Sequence, residues 1–207
     1  DLIEEVGRIY GYEKIKSAAP LSLLAAPERN EEIFWEDTAK NILKEAGFSE
    51  IYNYSLIGEK DINLHQLELE NPLSSEFQYL RPGLLPNLLK NIGENQKNFK
   101  EIKIFELGKV FTLRRAQGKG EEKRMLAGII AGDAFYEAKG VVDLLLNKLG
   151  VHKSYEEFGE IKALPNKLTM FNLDFEKLQK SCSEEIIYQP IPKFPAAVRD
   201  LAILVPR

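Results

Sequence analysis

Two strand-like runs in the middle of the chain limit its fold more than any other feature. Ile102 to Leu113 reads as one long strand, and Met125 to Ala131 is wholly apolar. An unbroken apolar run of that length is what a strand buried on both faces shows. Between them, Arg114 to Arg124 is polar and holds Gly118 and Gly120, which predicts a turn. Further strands are expected at Glu50–Leu56, with Tyr52 and Tyr54 on one side, at Gln66–Glu70, and at Leu168–Phe175. Asn71-Pro72 breaks the second of these.

Helices punctuate the strands and do not alternate strictly with them. Leu2, Val6 and Ile9 share one face of a helix over Asp1–Tyr10, which Gly11 stops. Trp35, Ala39, Ile42, Leu43 and Ala46 give the 3.6 period over Glu28–Ala46, closed by Gly47. Leu84, Leu85, Leu88, Leu89 and Ile92 mark a helix over Gly83–Gln96. Ala138, Val141, Val142, Leu145 and Leu149 mark another, ending at Gly150. Ser17–Pro27 has no helical period and reads as a linker. The pattern is that of an α+β fold with a largely antiparallel sheet.

The chemistry of common enzymes is hard to assemble from these residues. The two histidines, His65 and His152, lie in no nucleophile or zinc motif. Gly118-Lys119-Gly120 leads into Glu121-Glu122 and another strand, so a hairpin suits it better than a phosphate loop. A single cysteine, Cys182, excludes an internal disulfide and fits a reducing, cytoplasmic setting. A net charge of −4 lends no bulk support to nucleic-acid binding. No apolar run reaches the roughly 18 residues that span a bilayer. The chain opens on Asp1 inside a helix and closes after a strand-like run, so both ends are expected to continue in a longer protein.

Four stretches, in order, carry a family resemblance. They are Asp1-Leu2-Ile3-Glu4-Glu5-Val6-Gly7-Arg8-Ile9-Tyr10-Gly11-Tyr12; Asn71-Pro72-Leu73-Ser74-Ser75-Glu76 with Leu80-Arg81-Pro82-Gly83-Leu84-Leu85-Pro86; Ile104-Phe105-Glu106-Leu107-Gly108-Lys109-Val110-Phe111; and Lys193-Phe194-Pro195-Ala196-Ala197-Val198-Arg199-Asp200-Leu201-Ala202. Together they resemble the β subunit of bacterial phenylalanine–tRNA ligase. The resemblance implies a class II aminoacyl-tRNA synthetase-like antiparallel sheet flanked by helices. It implies three parts: residues 1–19 as the tail of a preceding helical domain, 20–190 as a catalytically degenerate synthetase-like module, and 191–207 as the start of a ferredoxin-fold anticodon-binding domain. It also implies an α subunit partner in an α2β2 assembly, tRNA-Phe, and ATP used by that partner and not bound here.

The degeneracy has a sequence signature. A working class II site grips ATP with an arginine and a glutamate just after the strand matching Ile104–Phe111, and with a later glycine-rich segment ending in arginine. Here Phe111 is followed by Thr112-Leu113-Arg114-Arg115, and the later segment reads Phe171-Asn172-Leu173-Asp174-Phe175-Glu176-Lys177-Leu178. Both grips are missing, so no adenylate chemistry is expected. The resemblance further implies Mg²⁺ ligands at Asp1, Glu4 and Glu5, whose i, i+3, i+4 spacing places three carboxylates on one side of a helix. Helix-dipole complementarity is the alternative account of those acids. A His-Pro-Gly-Arg stretch usual in the family before the Gly-Glu-Ile element has no counterpart before Gly159-Glu160-Ile161. Phe34 and Trp35, adjacent on the 28–46 helix, are the expected anchors for the α subunit, with the 84–92 helix beside them. A different class of function, a free-standing synthetase paralogue with an RNA-binding or regulatory role, is the alternative.

Overall fold

The computed structural model describes residues 1–21, 25–58, 66–114, 119–185, 188, 190–191 and 193–203. The chain divides into two compact units, Asp1–Asn30 and Glu31–Arg207. In the first unit, α1 (Leu2–Tyr10) ends at Gly11, whose φ of 96° lies where glycine is favoured, and a short 3₁₀ turn follows at Tyr12–Lys14. The α1 side chains of Leu2, Ile3, Val6 and Ile9 are all exposed.

The second unit is built on a five-stranded sheet. Its elements are α2 (Glu31–Glu45), β1 (Ser49–Glu50), β2 (Leu56–Ile57), β3 (Tyr79–Leu80), α3 (Leu85–Asn95), β4 (Lys103–Arg114), β5 (Lys119–Ala131), α4 (Phe135–Lys148), β6 (Gly159–Leu164), β7 (Leu168–Asp174) and α5 (Phe175–Gln179). The sheet order is β1-β4-β5-β7-β6, and β2 pairs with β3 apart from it. Every ladder of the large sheet is antiparallel except β1 with β4.

The sheet separates two cores, and strand alternation sorts residues between them. Phe105, Leu107, Leu126, Ile130, Phe171 and Leu173 face α2, α4 and α5. Ile104, Val110, Ala127, Ile129 and Met170 face α3 through Leu88 and Ile92. Both faces of β5 are therefore covered, which explains the unbroken apolar run from Met125. Gly128 stands opposite Phe171, and a Cβ there would lie 2.4 Å from the Phe171 ring. Its absence lets the buried ring lie flat across β5, edge-on to Phe48 at 5.8 Å.

Three strand expectations need correction. Glu50–Leu56 is not one strand: β1 stops at Glu50, after which Ile51 donates one hydrogen bond to the Phe105 carbonyl. The chain then leaves β4, exposing Tyr52 and Tyr54, and rejoins a strand only at Leu56. Gln66–Glu70 forms a single bridge, Glu68 with Tyr79, and no strand. The polar stretch expected as a turn is strand from Lys119 onward, paired back to Arg114. Residues 115–118 of that stretch lie outside the described residues, and Gly120–Arg124 are exposed or half-buried, which lets polar side chains occupy the strand. The helices match to within a few residues.

Trp35 also needs correction as an interface anchor. Its side chain is buried in the core with Ala39, Ile42 and Leu43, and Phe34 packs against that core, edge-on to Trp35 at 4.9 Å. The Trp35 ring is thus taken up by the chain's own core, while Phe34 stays half-buried. No helix among the described residues is long and apolar enough to cross a membrane.

Candidate functional site: a cleft of paired cations

Because β1 pairs with β4 only at Ile104 and Phe105, the edge of β4 beyond them has no strand neighbour among the described residues. A cleft of about 560 Å³ opens along it, lined in part by Lys40, Tyr52, Asn53, Arg81, Lys109 and Arg124. Its floor is an ion pair. Arg81 donates Nη1–H to Glu106 Oε1 at 2.6 Å, and both side chains are almost wholly buried, 3% and 2% exposed.

Burial of two charges is tolerable only if their remaining hydrogen-bonding capacity is met. Arg81 Nε donates to the Lys109 carbonyl at 3.0 Å. The Arg81 backbone takes the place of a missing strand: its N–H donates to the Ser55 carbonyl, and its carbonyl accepts from Phe111 N–H, each at 2.9 Å. Glu106 Oε2 accepts from the Asn53 amide at 2.7 Å, and Asn53 Oδ1 accepts from Asn91 of α3 at 2.8 Å. The irregular 51–55 segment is thus the price of delivering Asn53 to Glu106. Gly108 leaves room for the guanidinium, since a Cβ there would stand 2.5 Å from Arg81 Nη2.

The other cations of the cleft are also matched to glutamates. Arg124 makes a two-pronged pair with Glu36 of α2. The pKa of Arg124 is raised above its ordinary value, chiefly by that hydrogen bond, which outweighs the opposing effect of burial. Lys40 meets Glu50 at 2.9 Å, and Lys109 meets Glu122 at 2.8 Å. A polyphosphate needs cations whose donors are available, above all an arginine fork for bidentate contact. In this cleft each cation is already neutralised by a carboxylate.

The sequence-derived positions fall elsewhere. Phe175 and Leu178, in the segment where a glycine-rich grip is expected, are buried beneath the sheet in α5. The Arg114 side chain and Arg115 lie outside the described residues, as does His65. His152 is exposed. Asp1 precedes α1 without a side-chain capping bond, Glu4 and Glu5 occupy its first turn, and Glu5 accepts from Arg8 Nε at 3.0 Å. Carboxylates are the donors Mg²⁺ favours. However, no three acidic, histidine or cysteine side chains among the described residues gather as a metal site. Glu106, Arg81 and Asn53 were not singled out from the sequence. The available signal was a carboxylate in phase with the core-facing Ile104 and Val110 of an apolar strand.

A mostly antiparallel sheet with helices on both faces is the architecture of class II aminoacyl-tRNA synthetases. Two solved structures of pyrrolysyl tRNA synthetase from Desulfitobacterium hafniense share it. One, of its PylSc protein, has a TM-score of 0.57 at 16% identity, covering 71% of this chain and 65% of that one. The other has a TM-score of 0.55 at 17% identity, covering 75% and 74%. Identity that low speaks for the fold alone. The family is given by residues 15–174, which match the phenylalanyl tRNA synthetase beta chain CLM domain, and the chain belongs to that family.

Curated relatives agree. The phenylalanine–tRNA ligase beta subunit of Moorella thermoacetica is 29% identical over 261 positions, covering 100% of this chain and 32% of that protein. That of Staphylococcus aureus strain USA300 is 32% identical over 259 positions, covering 99% and 32%. The chain therefore spans about a third of the length of the curated relatives it matches. Alignments of this length against 207 residues also mean that the relatives carry residues with no counterpart here.

Proposed function

We propose that this chain is the catalytically silent core of a phenylalanine–tRNA ligase β subunit. In this reading it supports ATP-dependent attachment of phenylalanine to tRNA by an α subunit, through α2β2 assembly and tRNA placement in the cytoplasm. Residues 1–19, 20–190 and 191–207 are its helical-domain tail, synthetase-like module and entry to the anticodon-binding domain. The observation that supports the reading is the cleft, whose cations are paired with Glu36, Glu50, Glu106 and Glu122.

Magnesium enters through Asp1, Glu4 and Glu5. The donor chemistry fits, but Glu5 would have to release Arg8 and the three carboxylates would have to converge. Asp1→Asn, Glu4→Gln and Glu5→Gln in the intact β subunit each lower Mg²⁺ affinity in calorimetry if they are ligands. Unchanged affinity in all three favours helix-dipole complementarity instead. The catalytic part of the reading is tested by phenylalanine-dependent ATP–pyrophosphate exchange. None is expected from this chain, and exchange abolished by a single substitution in it would overturn the proposal.

A further inference from the structure

β6 ends the sheet, and its outer side meets no strand among the described residues. One hydrogen bond tells which backbone groups lie on that side. Asp174 donates its N–H to the Phe158 carbonyl at 2.8 Å, making these two a hydrogen-bonded pair. Hydrogen-bonded and non-hydrogen-bonded pairs alternate along an antiparallel ladder. In the observed register, Glu160, Lys162 and Leu164 therefore turn their N–H and C=O groups toward Asn172, Met170 and Leu168 of β7. Gly159, Ile161 and Ala163 turn theirs outward.

We propose that this edge pairs antiparallel with the same edge of a second copy of the chain, about a two-fold axis through Ile161. The stretch Gly159-Glu160-Ile161-Lys162-Ala163 is its own complement in that arrangement. Ile161 meets Ile161 of the second copy, and Gly159 meets Ala163. These are the outward-pointing residues, so the new ladder has its donors and acceptors in phase. Glu160 then meets Lys162, twice. Both contacts fall at non-hydrogen-bonded positions, where facing side chains come closest.

Charge selects this register over its neighbours. A slip of one strand residue pair in either direction sets Glu160 against Glu160 or Lys162 against Lys162, and like charges directly opposite repel. Within the single chain, no described residue forms an ion pair with Glu160 or Lys162, and both side chains are exposed. Charges on an open edge commonly discourage strand addition. Here their order discourages the two adjacent registers on either side. The contact is a single short strand, so the association is weak and reversible.

Sedimentation velocity of the 207-residue chain up to roughly millimolar concentration tests this. A monomer–dimer equilibrium is expected. Glu160→Lys or Lys162→Glu alone replaces two attractive pairs with two repulsive ones and weakens the dimer by roughly tenfold or more. The double variant E160K/K162E exchanges the charges and restores it. Ala163→Pro removes an outward N–H without touching the β7 ladder, and abolishes the dimer with circular dichroism unchanged. If that variant misfolds, the charge series decides. A chain monomeric throughout overturns the proposal. So does a dimer indifferent to the single reversals, or one that the double variant fails to restore.

Discussion

Two arginine–glutamate pairs border the same cleft, yet they are held in different surroundings. Arg81 and Glu106 are sealed beneath it, with Asn53 and the Lys109 carbonyl completing their bonds. Arg124 and Glu36 join β5 to α2 at the cleft wall, with the Arg124 side chain 28% exposed. Arg124 is partly open to water although its partner Glu36 is buried; Arg81 and Glu106 are both closed off from it. A pair like the first fixes a geometry, and a pair like the second tunes a surface. The cleft thus has a rigid floor beneath a more open wall.

Removing one member of the sealed pair tests this contrast most severely. Arg81→Ala or Glu106→Ala is expected to cost about 3–5 kcal/mol in urea unfolding, because the remaining charge is stranded. Replacing both, as Arg81→Met with Glu106→Leu, is expected to cost less than either single change. A double variant as unstable as the singles would show that the network specifies the local backbone and not merely its own charges. Gly108→Ala comes next. Its Cβ forces the Arg81 guanidinium aside, and a loss of about 1–3 kcal/mol is expected. Arg124→Ala is expected to cost about 1–2 kcal/mol, since Glu36 is buried but the Arg124 side it faces is open to water. The smallest effect is that of salt. Raising ionic strength should shrink the difference between Arg124→Ala and the parent chain while leaving that of Arg81→Ala almost unchanged. Equal salt sensitivity at the two sites would remove the distinction between them.

The sheet was legible in the sequence wherever one physical constraint dominated. The apolar run at Met125–Ala131 has only one comfortable place, between two covered faces, and it lies there. The period through Trp35, Ala39, Ile42 and Leu43 gave α2 its buried face, although adjacency of Phe34 and Trp35 suggested an interface and Trp35 lies in the core with Phe34 half-buried against it. A helix wheel records which residues are apolar, not how wide the surface beneath them is. The site was less legible because it depends on long-range contacts. Asn53, Arg81, Asn91 and Glu106 converge from four separate segments. Tyr52 and Tyr54 alternate as a strand would, but the demand of Glu106 for an amide partner overrides that local preference. Alternation is a weak signal when a buried charge needs satisfying.

The long β4–β5 hairpin has a consequence for the order of assembly. Its ladder starts at Arg114 with Lys119, close in sequence, and runs without interruption to Lys103 with Ile130. Closing so short a span costs little chain entropy, and each further pair extends an existing one. By contrast, Ser49 reaches Ile104, and Arg81 reaches Glu106, only across long intervening segments. The hairpin is therefore expected to gain hydrogen-exchange protection early in refolding, with the amides of Ile51, Asn53 and Arg81 protected last. On a ribosome the cleft would then be completed late, onto a sheet already formed. Until then Glu106 remains in water, where its charge costs nothing to keep.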